Sequence, residues 1–168
     1  ENGFNGKAAN FANGYVELTD AELGNGSITI STWLKPNSVS TLRSPIISTS
    51  QVNPGKYEYE GFYMALVNDK LEMYIHRRPY DGNATGFRKA YSALIGTHAP
   101  SDTYDGWVNV TWVADKTKLY MYCYVDYELV FSERIYSSSS PVWDGDWKPL
   151  IGRGKHTNGT SVLTYDGL

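Results

Sequence analysis

Residues 107–130 read WVNVTWVADKTKLYMYCYVDYELV, and this stretch decides the fold. Within 118–125 (KLYMYCYV), Leu119, Met121, Cys123 and Val125 alternate with Tyr120, Tyr122 and Tyr124. A period of two is that of a β-strand, whose successive side chains point to opposite faces. The preceding run 107–113 (WVNVTWV) is a strand of similar length, joined to it through Ala114-Asp115-Lys116-Thr117. An antiparallel pair follows, with a further strand over 128–135 (ELVFSERI). The aliphatic set 119, 121, 123 and 125 is core-like, which leaves Tyr120, Tyr122 and Tyr124 about 7 Å apart along the opposite face.

The same cadence extends outward from that pair. Residues 28–34 (ITISTWL) alternate and are closed by Pro36. Residues 61–67 (GFYMALV) and 70–76 (KLEMYIH) flank Asn68-Asp69, a two-residue turn of the kind that accepts positive φ in a hairpin. Leu71, Met73 and Ile75 share one face of the second strand, and Glu72, Tyr74 and His76 the other. Gly, Asn, Ser and Pro clusters separate the strands, and no sustained 3.6-residue period appears. One helical turn at 20–24 is the most helix expected. The pattern predicts an all-β, antiparallel two-sheet sandwich formed by a single domain over residues 1–168.

Composition narrows the function. With 15 Lys and Arg against 18 Asp and Glu, the net charge of −3 provides no basic field for a phosphate backbone, so nucleic acid is not an expected partner. No apolar run reaches the roughly 20 residues of a membrane helix, so membrane insertion is not expected. The first residues have neither the charged nor the apolar region of a signal peptide, and the sequence reads as a soluble, processed or excised domain. The single Cys123 excludes a disulfide framework and a multi-cysteine zinc site. An excess of Tyr, 14 residues, favours an exterior location. Four Asn-x-Ser/Thr sequons occur, at Asn25, Asn83, Asn109 and Asn158, of which Asn109 falls inside a predicted strand.

Several segments, in order, resemble the laminin-G-like domains of the concanavalin A-like lectin/glucanase superfamily. They are FNGKAANFANGYVELTD at 4–20, GSITISTWLKP at 26–36, the decisive stretch at 107–130, PLIGRG at 149–154 and TYDGL at 164–168. The resemblance implies a concanavalin A-like jelly roll. It differs in two places: Tyr127 stands where the family has a turn glycine, and the chain ends at Leu168, where the family's closing strand would begin. The expectation is therefore a jelly-roll sandwich lacking its closing C-terminal strand, with an open edge that a strand-donating partner would fill. The resemblance also implies calcium, with Asp20, Asn25 and Asp166 as the nearest positions.

No catalytic pattern accompanies the fold. The carboxylate strand of laminarinase-type relatives, E-x-D-x-x-E, is approximated only by Glu58-Tyr59-Glu60. His76, His98 and His156 have no metal-ligand spacing, and Cys123 faces the core. Aromatics carry the binding signal. Tyr120, Tyr122 and Tyr124 suit the apolar C–H faces of sugar rings, or else they pack under a second layer. Tyr74, His76, Arg77, Arg78 and Tyr80 gather donors and rings at a strand end, or form a solvated rim. Trp143 and Trp147 form a saccharide-binding tip or a plug over the sandwich end. The sequence thus predicts a non-catalytic, extracellular or cell-surface module that binds carbohydrate or a surface glycoconjugate. A structural subunit completed by a neighbour's strand comes second, and a glycoside-processing enzyme third.

Overall fold

The structure, a computed structural model, describes residues 2–3, 6–11, 14–19, 26–35, 44–48, 51–52, 59–67, 70–76, 87–91, 107–134, 149–155 and 162–164. In chain order the strands are Asn2–Gly3 (β1), Gly6–Lys7 (β2), Val16–Glu17 (β3), Ile28–Leu34 (β4), Ser44–Ser48 (β5), Gln51–Val52 (β6), Tyr59–Val67 (β7) and Lys70–His76 (β8). They continue with Phe87–Tyr91 (β9), Val108–Asp115 (β10), Tyr120–Val125 (β11), Glu128–Arg134 (β12), Leu150–Ile151 (β13), Arg153–Lys155 (β14) and Val162–Thr164 (β15). The smaller main sheet has the order β12-β11-β10-β4; the larger runs β3-β13-β5-β7-β8-β9, with β6 also paired to β7. Every pairing is antiparallel. This is the expected two-sheet jelly-roll sandwich. No helix among the described residues is long and apolar enough to cross a membrane.

The core forms where the inward parities of the two sheets meet. Val108, Val110, Trp112 and Ala114 of β10 and Met121, Cys123 and Val125 of β11 are buried against Phe62, Met64, Leu66, Leu71 and Met73 of β7 and β8. The Phe62 and Trp112 rings lie 5.1 Å apart at 52°, a tilted aromatic contact joining the sheets. Trp112 Nε1 is buried with no acceptor among the described residues. Leaving such a donor unpaired costs about 1–3 kcal/mol, so the indole is held by its packing. Cys123 is a free, buried thiol, in keeping with the reading of it as a small core residue.

Several strand details differ from expectation. The β7–β8 register runs through Val67↔Lys70 and so confirms a two-residue connection, although Asn68 and Asp69 themselves lie outside the described residues. Glu72 lies on the parity opposite Leu71 and Met73 but is fully buried, as is its register partner Ala65, so the larger sheet is covered there on its outer side too. Tyr59 and Glu60 belong to β7 rather than to a loop, and Glu58 is outside the described residues. The region expected to form a helical turn, 20–24, is outside them as well, as are residues 166–168, where the family's closing strand would begin.

A glycine decides how the chain leaves the larger sheet. Gly152, between β13 and β14, has φ +79, and its N–H donates to Ile46 O at 2.8 Å. A Cβ there would lie 2.4 Å from Cδ1 of Phe11, whose ring packs against the core. Gly152→Ala therefore combines a left-handed backbone cost of about 1–2 kcal/mol with displacement of an aromatic ring. We expect a loss of at least about 2 kcal/mol in denaturant unfolding, and about 3–5 kcal/mol for Trp112→Ala. A Trp112→Ala loss under 1 kcal/mol would contradict this account of the core.

Candidate functional site

The outer face of the smaller sheet can be built directly from its register. Tyr120 stands opposite Asp115 and Arg134, Tyr122 opposite Val113 and Ser132, and Tyr124 opposite Thr111 and Leu129. One strand further, Val113 pairs with Thr29, Thr111 with Ser31 and Asn109 with Trp33. Because Met121, Cys123 and Val125 are buried inward, the three tyrosines must lie outward. Tyr120 is 37% exposed, and Tyr122 and Tyr124 are half-buried. They therefore do not pack against the larger sheet.

The tyrosines do not form three equivalent flat tiles. The Tyr120 and Tyr122 rings are near-parallel, 23° apart with centroids at 5.9 Å. That separation exceeds carbon–carbon contact of about 3.5–4 Å, so the rings overlap with an offset. Beyond Cys123 the β11–β12 register shifts: Cys123 faces Phe131 whereas Tyr124 faces Leu129. The bulge sends both Val130 and Phe131 toward the core and leaves Leu129 exposed beside Tyr124.

Two aromatics that the sequence did not assign to this face complete it. Position within strands makes Trp33, Trp107 and Trp112 core candidates; Trp107 and Trp112 are buried, but Trp33 has the outward parity of β4 and is half-buried, with its ring 6.3 Å from that of Tyr127 at 74°. Tyr127 is 68% exposed and has φ 70, following Asp126 at φ 47. The residue standing in place of the family glycine thus adopts the glycine conformation, which for a side chain costs about 1–2 kcal/mol. The turn is fixed from below: Asn109 N donates to Asp126 Oδ1 at 2.8 Å and Asp126 N to Asn109 O at 2.9 Å. Asn109, flanked by Trp33 and this turn, is only 3% exposed, so the sequon that falls inside the strand sits on a buried side chain. The signal for Trp33 was available in the alternation of 28–34, where it shares parity with Thr29 and Ser31.

Between the rings lies a row of hydroxyl and amide groups. Ser31 Oγ and Thr111 Oγ1 are 2.7 Å apart, Thr111 Oγ1 donates to Asn109 Oδ1 at 3.2 Å, and Asn109 Nδ2 reaches Thr32 O at 3.4 Å. The face therefore offers apolar rings together with oriented polar groups, the combination that holds a polyhydroxylated ring. The far end is closed by the 116–119 turn. Asp115 Oδ1 accepts from Thr117 N at 3.0 Å and Lys118 N at 2.9 Å, and Lys116 N donates to Ser27 Oγ at 3.0 Å. This Asx-type turn carries the chain to Leu119 at φ 57, so β10 extends to Asp115 and the connection lies later than expected.

Of the other positions singled out in the sequence, the two that are described do not join this face. Tyr74 and His76 belong to β8 of the opposite sheet, in register with Tyr63 and Lys89 and with Gly61 and Phe87 respectively. Arg77, Arg78, Tyr80, Trp143 and Trp147 lie outside the described residues. So do Asp20, Asn25 and Asp166, the positions implied for calcium; among the described residues no group of three or more His, Cys, Asp or Glu could hold a metal ion.

The family model for the concanavalin A-like lectin/glucanases superfamily, of the laminin-G-like type, matches residues 10–167. The chain belongs to this superfamily. No curated protein matches it in sequence. Among solved structures, the Ruminococcus gnavus IT-sialidase CBM40 bound to α2,3 sialyllactose has a TM-score of 0.57 at 16% identity, over 84% of this chain and 70% of that one. The mouse laminin α1 chain, domains LG4-5, gives a TM-score of 0.59 at 13% identity, over 90% and 36% of the two chains. The botulinum neurotoxin serotype D ligand-binding domain, in complex with N-acetylneuraminic acid, gives 0.57 at 18% identity, over 82% and 31%. At these identities the likeness is one of fold.

Two substitutions test the geometry of the laminin-G-like face. Tyr127→Gly relieves the left-handed strain and is expected to leave stability unchanged or raise it by up to about 1 kcal/mol, as read by urea unfolding. Asp115 is held below the ordinary carboxylate range, chiefly by the Lys118 N–H, with the Thr117 N–H and the Lys118 ammonium at 3.6 Å adding to it and outweighing partial desolvation. A depressed folded pKa means that the charged form stabilises the fold above the unfolded value and that this contribution fades as pH falls through the folded one. The difference in Tm between wild type and Asp115→Asn is thus expected to shrink below about pH 4.

Proposed function

We propose that this chain is a non-catalytic, extracellular binding module that holds a saccharide against the outer face of the smaller sheet. The observation that carries the reading is the open row Tyr120, Tyr122 and Tyr124, beside the Ser31–Thr111–Asn109 polar chain and the Trp33–Tyr127 pair. Rings supply the surface for sugar C–H groups, and the Ser31 and Thr111 hydroxyls, held from below by the buried Asn109 amide, supply direction. Two of the similar folds were solved with a sialylated or sialic acid ligand, which supports a glycan as the ligand class. Among the described residues of this face, none forms an acid/base pair suited to glycoside cleavage. Tyr122→Ala should weaken binding on a glycan array or affinity gel roughly tenfold or more while leaving the circular dichroism spectrum unchanged. Failure of the wild-type protein to bind any glycan would overturn the reading.

A second reading is favoured by β4. It ends the order of the smaller sheet among the described residues, and its inward Ile28 and Ile30 are only half covered, whereas Trp112 and Ala114 opposite them are fully buried. A strand added to this edge by a neighbouring chain would complete both the hydrogen-bond ladder and the core, the role of an assembly subunit. Concentration-independent monomers in sedimentation would count against it. Calcium at Asp20, Asn25 and Asp166 rests on the family resemblance; a higher Tm on adding calcium to EDTA-treated protein would support it, and an unchanged Tm would count against it.

A further inference from the structure

The Arg153 guanidinium, on β14, which pairs with β15 outside the two main sheets, lies over the Tyr15 ring, 4.4 Å from its centroid. Its main chain is anchored on both sides. Ser48 Oγ donates to Arg153 O at 3.0 Å, Arg153 is in register with Thr164, and the neighbouring Gly152 N–H is bonded to Ile46 O. The side chain is half-buried, yet among the described residues it makes no ion pair and no side-chain hydrogen bond. Glu17, exposed two residues beyond Tyr15, is not paired with it. Tyr15 itself remains 47% exposed despite the stacked cation.

An arginine in this state is oriented but unused. Stacking on the ring restricts the long side chain before a ligand arrives, which lowers the entropy lost on binding. Its planar fork of N–H donors matches the two oxygens of a carboxylate. A planar anion of single charge is the simplest match to one such fork. The exposed part of the Tyr15 ring offers an adjacent apolar surface that a bare carboxylate ion would not use but a sugar ring would.

We propose that Arg153 and Tyr15 form a second ligand site, which takes the carboxylate of an acidic saccharide. This site is separate from the tyrosine face and does not depend on it. The test is an NMR titration following the Arg153 Nε–Hε resonance, with glucuronate, glucose, acetate and inorganic phosphate as probes. Glucuronate is expected to shift the resonance in a saturable manner, glucose not to shift it, and acetate to bind several-fold more weakly. Read by calorimetry, since the Arg153 variants lack the reporter N–H, Arg153→Gln should abolish glucuronate binding. Arg153→Lys, which keeps the charge but not the fork, should weaken it roughly tenfold, as should Tyr15→Ala. Tyr122→Ala should leave it unchanged, which separates failure here from failure of the tyrosine face. Equal binding of acetate and glucuronate, tighter binding of phosphate, or full retention of binding in Arg153→Gln would each overturn the proposal.

Discussion

Asn109 and Asp126 exchange two hydrogen bonds at one end of the β10–β11 hairpin, and Asp115 closes the turn at the other. Together they pin the register of the two central strands, on which everything else in the smaller sheet depends. A slip of one residue would drive Tyr120, Tyr122 and Tyr124 inward and expel Met121, Cys123 and Val125. With the register held, Trp112 meets Phe62 across the sandwich, and the cross-sheet contact secures the inner face while the tyrosines are left outside.

The two outer faces of the sandwich then acquire different characters. On the larger sheet, Ala65 and Glu72 are buried on the side away from the core, and Ser48 is buried where it bonds β14. That side is closed along these rows. The smaller sheet keeps its outer face open, with rings and hydroxyls half exposed to solvent. Strain gathers at its margin as well, in the left-handed Tyr127 beside Trp33. Backbone strain of this kind persists only where surrounding bonds enforce it, and here the Asn109–Asp126 pair does so.

Much of the fold was legible because strand parity is a local property. The runs 28–34 and 70–76 coincide with β4 and β8, and of the core-like set 119, 121, 123 and 125 the last three are buried as the alternation implied, whereas Leu119 is half-buried in the turn at positive φ. Connections were read less well. The 116–119 turn depends on a side-chain carboxylate accepting two backbone N–H groups, and the β12 bulge on how Val130 and Phe131 fill the core. Burial of Glu72 was not legible at all, because parity says which way a side chain points and not what covers it.

For this protein, the sequence by itself determined the class of fold, the identity of the tyrosine stripe and, through its single cysteine, the exclusion of an internal disulfide framework, because each follows from spacing or composition along one chain. Only the tertiary structure decided that the stripe is open, that Trp33 and Tyr127 join it, and that Arg153 rests on Tyr15. Those relations link residues far apart in sequence, and they exist only once the register and the packing of two sheets bring them together.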